Sequence, residues 1–170
     1  MTENKDKNGF TVETEVWCSA GFYKTFDKLK EIKNEKDHFM TDSFDKEQIA
    51  FVTNLANIED MGETQELVEV TYGSPVKLGS KWYDITVRCT PNQEFLTCYE
   101  NNGTLHYKGN ETFIWRKASE LKDGMRLVAE DANLVVKKVV KVVEKAQVYS
   151  VKTDEENNFS IRLGVIVKGA

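Results

Sequence analysis

Apolar and polar residues alternate with a period of two along most of this chain, a pattern that builds half-buried strands. "FTVETEVWC" (residues 10–18) predicts the first strand, and "IAFVTNLANIED", "ELVEVTYG", "KWYDITVRCT" and "EFLTCYE" predict four more between residues 49 and 100. "NLVVKKVVKVVEKAQVYSVKT" (133–153) offers two β-branched runs, and "NNFSIRLGVIVKGA" (157–170) reads as strand, turn at Gly164, strand. Two short stretches depart from this period. After a turn at Gly21, "YKTFDKLKEI" places Phe26, Leu29 and Ile32 at helical spacing with Thr25 as N-cap. Lys117–Lys122, with Ser119 inside it, predicts a second short helix, and Asp123-Gly124 turns the chain back to a strand. Residues 33–48 are polar enough to predict a loop, and "ENNGTLHYKGNE" (100–111) a turn or protruding hairpin. The fold class predicted is all-β with one or two short helices. The expected core includes Val16, Ile85, Val87, Phe95, Leu96, Trp115, Leu121, Val148, Val151, Phe159 and Val165.

Length and charge narrow the picture. A chain of 170 residues is enough for one domain with a sizeable core. Its net charge of −5 and its interleaved lysines and acids, as in "KLKEIKNEKD", argue against a nucleic-acid partner. No apolar run is long enough to span a bilayer and no signal-peptide pattern opens the chain, so the expectation is a soluble, cytoplasmic protein with no membrane partner. On the same ground Asn102-Gly-Thr, Asn110-Glu-Thr and Asn158-Phe-Ser read as chance matches to the glycosylation triplet. Residues 1–8, "MTENKDKN", read as a flexible lead-in.

The residues that bind metals or act as nucleophiles are few. Cys18, Cys89 and Cys98 form no CxxC pair, and His38 and His106 stand in polar segments without ligand-spaced neighbours, so no metal and no cofactor are expected. Cys89 and Cys98 alternate with core positions and read as small buried hydrophobes.

Four segments in order carry a resemblance. "GFTVETEVWCSAGFYKTFDKL", "CTPNQEFLT", "WRKASELKDGMRLV" and "VYSVKTDEENNFSIRLGVIV" resemble the successive motifs of inteins, the self-splicing Hint domains. The resemblance covers residues 9–169, making residues 1–8 and Ala170 flanking sequence. It implies a Hint horseshoe with the strand near Glu13–Trp17 beside the strand near Gly164–Val167, bringing Gly9 and Gly169 next to Thr90. It also implies partners in cis, the flanking polypeptides or a host protein, and a monomer. "VVKKVVKVVEKAQVYSV" follows the third motif almost at once, leaving no room for a homing endonuclease. The polar segment near 33–48 falls where some inteins are split in two.

The chemistry the resemblance implies is nucleophilic. The first residue of an intein, Cys or Ser, attacks the preceding carbonyl. The Thr and His of a "TPxH" motif orient and protonate the scissile amide. A terminal Asn cyclises, and the first residue beyond accepts the acyl group. Carried over, these roles fall on Gly9, Thr90, Gln93, Gly169 and Ala170, with Lys168 in the penultimate place. Gly9 and Gly169 have no side chain to react. Gln93 donates a hydrogen bond but transfers no proton near neutral pH, and Ala170 lacks a hydroxyl or thiol. Ser150 stands where many inteins have Asp, and Asn157 and Asn158 lie where many have His or Asp. Cys18 as a displaced nucleophile is out of register. The implied function is an intein-like domain inactive as written, through decay or through deliberate substitution of the junctions. The alternatives are a natural pseudo-intein serving as a structural or interaction module, and an unrelated acidic all-β binding domain.

Overall fold

The computed structural model describes residues 7–18, 22–31, 39–48, 50–75, 84–98, 113–130 and 134–170. Gly21, Ile32, His38, His106, Asn102 and Asn110 lie outside the described residues, as do the whole 100–111 turn and part of the 33–48 loop.

Thirteen strands, one α-helical turn and two 3₁₀ turns are described. The strands and the α-helical turn are β1 (Glu15–Cys18), β2 (Phe22–Thr25), α1 (Phe26–Leu29), β3 (Phe39–Asp45), β4 (Ala50–Thr64), β5 (Leu67–Gly73), β6 (Asp84–Cys89), β7 (Glu94–Cys98), β8 (Phe113–Lys117), β9 (Arg126–Leu127), β10 (Leu134–Val142), β11 (Ala146–Thr153), β12 (Asn158–Ile161) and β13 (Val165–Lys168). The larger sheet runs β2-β1-β12-β13-β7-β9-β10-β5-β6, with β8 on β7, and a smaller one runs β11-β4-β3. Among the described residues no helix is long and apolar enough to cross a membrane.

Several expectations change. β1 is not beside β13: β12 lies between them, pairing Val16 with Ile161 on one side and Phe159 with Val167 on the other. The first strand is shorter than its alternation suggests. Thr14 N–H donates to Thr11 O at 3.1 Å, so Val12 and Glu13 form a turn before β1 begins. Part of the polar loop is a strand, β3. Its inward residues are Thr41, Ser43 and Phe44, and two of the three are hydroxyls that no apolar pattern reveals. Asn158 explains how Ser43 and the Phe44 backbone are satisfied inside, while Thr41 Oγ1 is buried without a partner. The Asn158 carboxamide accepts from Phe44 N–H at 2.7 Å and donates to Phe44 O at 3.1 Å, while Ser43 Oγ donates to Asn158 O at 2.6 Å and Ser160 Oγ to Asp42 O at 2.6 Å. This ladder ties the smaller sheet to the larger.

The second predicted helix shrinks to one 3₁₀ turn, Ala118–Glu120. Its first amides are drawn elsewhere, Ala118 N–H to Gln93 O at 2.7 Å and Ser119 N–H to Pro91 O at 3.1 Å. α1 is capped as expected, with Thr25 Oγ1 accepting from Lys28 N–H at 3.2 Å. The β12–β13 turn places Leu163 at φ 68° and Gly164 at φ 78°, and two tyrosine hydroxyls hold it. Tyr23 Oη accepts from Leu163 N–H at 2.9 Å, and Tyr72 Oη donates to Arg162 O at 2.6 Å.

Nine of the eleven expected core residues are buried; Ile85 and Trp115 are only partly so. At the centre is Phe10. Its ring stacks with Phe26 at 6.5 Å and meets Phe95 and Phe159 edge-on at 6.0 and 6.2 Å. Phe10→Ala is expected to lower stability by about 3–5 kcal/mol in urea unfolding. Phe22→Ala, on an exposed edge-strand side chain, should change it by less than about 0.5 kcal/mol.

Candidate functional site

The positions singled out by sequence converge on one place, and Phe10 brings the first of them there. Its N–H donates to Tyr149 O at 2.7 Å and its carbonyl accepts from Tyr149 N–H at 2.8 Å. On the other side Thr11 N–H donates to Arg88 O at 3.0 Å. Residues 9–11 thus run between β11 and the end of β6, with Phe10 in a bridge to each. That register delivers Gly9 to Thr90, whose N–H donates to Gly9 O at 3.0 Å. Arg88, two residues before Thr90, is held by Glu13, Glu69 and Glu144, the last at 2.5 Å. The hydrogen bond to Glu144, with these surrounding carboxylates, pushes its pKa up further.

Thr90-Pro91-Asn92-Gln93 is a tight turn in which Gln93 N–H donates to Thr90 O at 3.1 Å. Gln93 is fully buried. Its Nε2 donates to its neighbour's carbonyl, Glu94 O, at 3.0 Å and to Lys168 O at 2.9 Å. The side chain therefore binds the end of β13. Gln93 Oε1, Thr90 Oγ1 and Ser150 Oγ are buried without a hydrogen-bond partner.

The chain end lies against the same elements. Gly169 N–H donates to Asn157 O at 3.0 Å and Ala170 N–H to Val151 O at 2.9 Å. Asn157 therefore contributes its backbone, and Asn158 the structural ladder described above. Lys168 Nζ sits 4.9 Å from the centroid of the Trp115 ring. Beside it opens a groove of about 400 Å³ lined by Asp45, Glu47, Trp115, Glu156 and Asn157. Burial, then the nearby Asp45, Glu155 and Glu47, raises the Glu156 pKa.

One contact joins the two ends directly. Asn8 Nδ2 donates to Gly169 O at 2.8 Å. Lys7 is tied in as well, its Nζ donating to Glu63 O. Asn8 was missed by sequence reasoning because it belongs to a charged, uninformative lead-in. The only signal was its place immediately before Gly9.

Both glycines are closely fitted. Gly9 has φ +151°, which L side chains rarely adopt, and a Cβ there would lie 3.0 Å from Val148 Cβ and 3.2 Å from Tyr149 O. At Gly169 a Cβ would come within 2.6 Å of Val151 O. All three thiols are buried. None forms a disulfide, and burial raises the pKa values of Cys18 and Cys89, that of Cys89 far above the ordinary thiol range. Among the described residues no group of three His, Cys, Asp or Glu side chains is placed to hold a metal ion.

No protein-family model matches the chain, and no curated protein matches it. Solved structures do. The TvoVMA intein is 20% identical with a TM-score of 0.66, covering 95% of this chain and 96% of that one. The DnaB intein from Synechocystis sp. PCC 6803 is 16% identical with a TM-score of 0.64, covering 96% and 99%. The bacterial intein-like domain from Clostridium thermocellum is 16% identical with a TM-score of 0.62, covering 95% and 98%. The chain has the all-β Hint fold of the inteins along nearly its whole length.

Substituting Gly169→Ala is expected to push the chain end off β11. The amide of Ala170 should then lose about tenfold or more of its hydrogen-exchange protection, a local opening that leaves the urea midpoint nearly unchanged.

Proposed function

We propose that this chain is an intein-type Hint domain without junction chemistry, which holds two flanking polypeptide segments side by side. Gly9 to Gly169 is the domain, residues 1–8 and Ala170 are flanks, and the partners are the flanking segments in cis. The observation that carries this reading is the fit at Gly169, where any side chain would meet the Val151 carbonyl. A cyclising Asn at that position needs its side chain in the space that carbonyl occupies. Gly9 supports the same reading, since a nucleophilic side chain there would press on Val148. Gln93 supports it too, because both hydrogen-bonded contacts of its Nε2 are to carbonyls, one of them at the end of β13. A group so placed positions a strand; it is not a proton donor for a departing amide.

A second reading, a working intein frozen at its junctions, draws on Thr90. The bond from Thr90 N–H to Gly9 O and the unpartnered Thr90 hydroxyl are where a scissile bond would be oriented.

Two measurements separate the readings. The chain, fused between two reporter proteins and held for days with dithiothreitol, should stay at its full mass by mass spectrometry. Gly9→Cys, Gly169→Asn and Ala170→Cys, installed together, should give no ligated product on a gel, and adding Gln93→His should not rescue it. A ligated or cleaved product from the restored fusion would establish the frozen-intein reading. In that case Gln93→His should accelerate the first step by on the order of a hundredfold.

A further inference from the structure

The contact that closes the ends of this domain is made by a chemically perishable group. Asn8 is followed by Gly9, the neighbour least able to obstruct attack on the Asn carboxamide, because it has no Cβ. Among the described residues no backbone carbonyl accepts a hydrogen bond from Gly9 N–H. Asn8 is only part-buried, so water reaches it. Its Nδ2, the atom such a reaction expels, is the atom that donates to Gly169 O at 2.8 Å.

We propose that Asn8 is a self-modification site whose conversion unlatches the two ends of the domain. The backbone nitrogen of Gly9, losing its proton, attacks Asn8 Cγ. A Cγ–N bond forms, the Cγ–Nδ2 bond breaks, and ammonia leaves with the transferred proton. Water then opens the resulting succinimide at one of its two carbonyls, giving an aspartyl or an isoaspartyl residue. No oxidant, reductant or metal enters. The product has a carboxylate in place of the carboxamide. Its oxygens only accept, so a repulsive pair of acceptors faces Gly169 O where a hydrogen bond stood. In the isoaspartyl product the main chain is also longer by one carbon, which shifts residue 8 relative to Gly9. The ring closure is intramolecular, the opening consumes one water, and the loss of ammonia prevents a return to Asn. It is independent of whether the domain splices, since it uses neither a junction nucleophile nor a terminal Asn.

The full chain is incubated, folded, at mildly alkaline pH, and the peptide containing Asn8-Gly9 is followed by mass spectrometry with an isoaspartyl methyltransferase assay. A gain of about one mass unit on that peptide, with isoaspartate present, is expected. Asn8→Gln, which would have to close a larger ring, should abolish the gain while keeping a carboxamide at the site. In parallel, Asn8→Asp should speed hydrogen exchange at the Gly169 and Ala170 amides by about tenfold relative to the unmodified chain. Persistence of the native mass in the folded chain, while the denatured chain gains it, would overturn the proposal, because the latch would then protect Asn8 completely. So would Asn8→Asp leaving both amides as protected as before. Release of residues 1–8 with a succinimide end would also overturn it, by showing that Asn8 Nδ2 attacks its own backbone carbonyl instead.

Discussion

Phe10 is the constraint on which the rest of this structure depends. Its backbone is bonded in both directions to Tyr149, its bridge partner on the other side is Cys89, and its ring fills the space between Phe26, Phe95 and Phe159. A fully buried aromatic with its main chain satisfied on two sides has one register available to it. That register fixes Gly9 against Thr90 and directs Asn8 toward Gly169. The site is therefore assembled by a core residue rather than by its own side chains.

The strands were legible because most of them have one dry face. β5 and β6 carry β-branched and aromatic residues that alternate between buried and less buried positions, whereas β7 and the middle of β11 are buried on both faces and are marked by their apolar content. β3 was illegible for the opposite reason. Thr41 and Ser43 face inward, and what stabilises Ser43 there is Asn158, more than a hundred residues away, so no local window contains the signal. The neighbour of β1 was misassigned because β12 and β13 form one hairpin, and the sequence does not say which of its two strands faces β1. Trp115 was expected inside. It lies instead at the rim of a groove with the Lys168 ammonium over its ring, a half-exposed arrangement that suits an indole.

At the site the positions were legible and the contacts were not. Motif order alone brought together Gly9, Thr90, Gln93 and Gly169. It did not show that Gln93 is bonded to the end of β13, that Ser150 is buried with an unpartnered hydroxyl, or that both glycines lie against backbone and side-chain atoms of β11. Those facts turn on distances of a few ångströms between segments far apart in sequence. They also change the meaning of glycine at these positions, from a missing reactive group to a close fit.

The Asn8–Gly169 contact has a consequence for any polypeptide that carried this domain in its interior. For such a host, an insertion of about 160 disordered residues would be a long loop, and closing it would oppose host folding by an entropy that grows with the logarithm of its length. Pinning the two ends to each other makes the insertion behave like a link of a few residues, which relieves the host of about 3–4 kcal/mol of closure free energy. The domain would be nearly invisible to the folding of the protein around it.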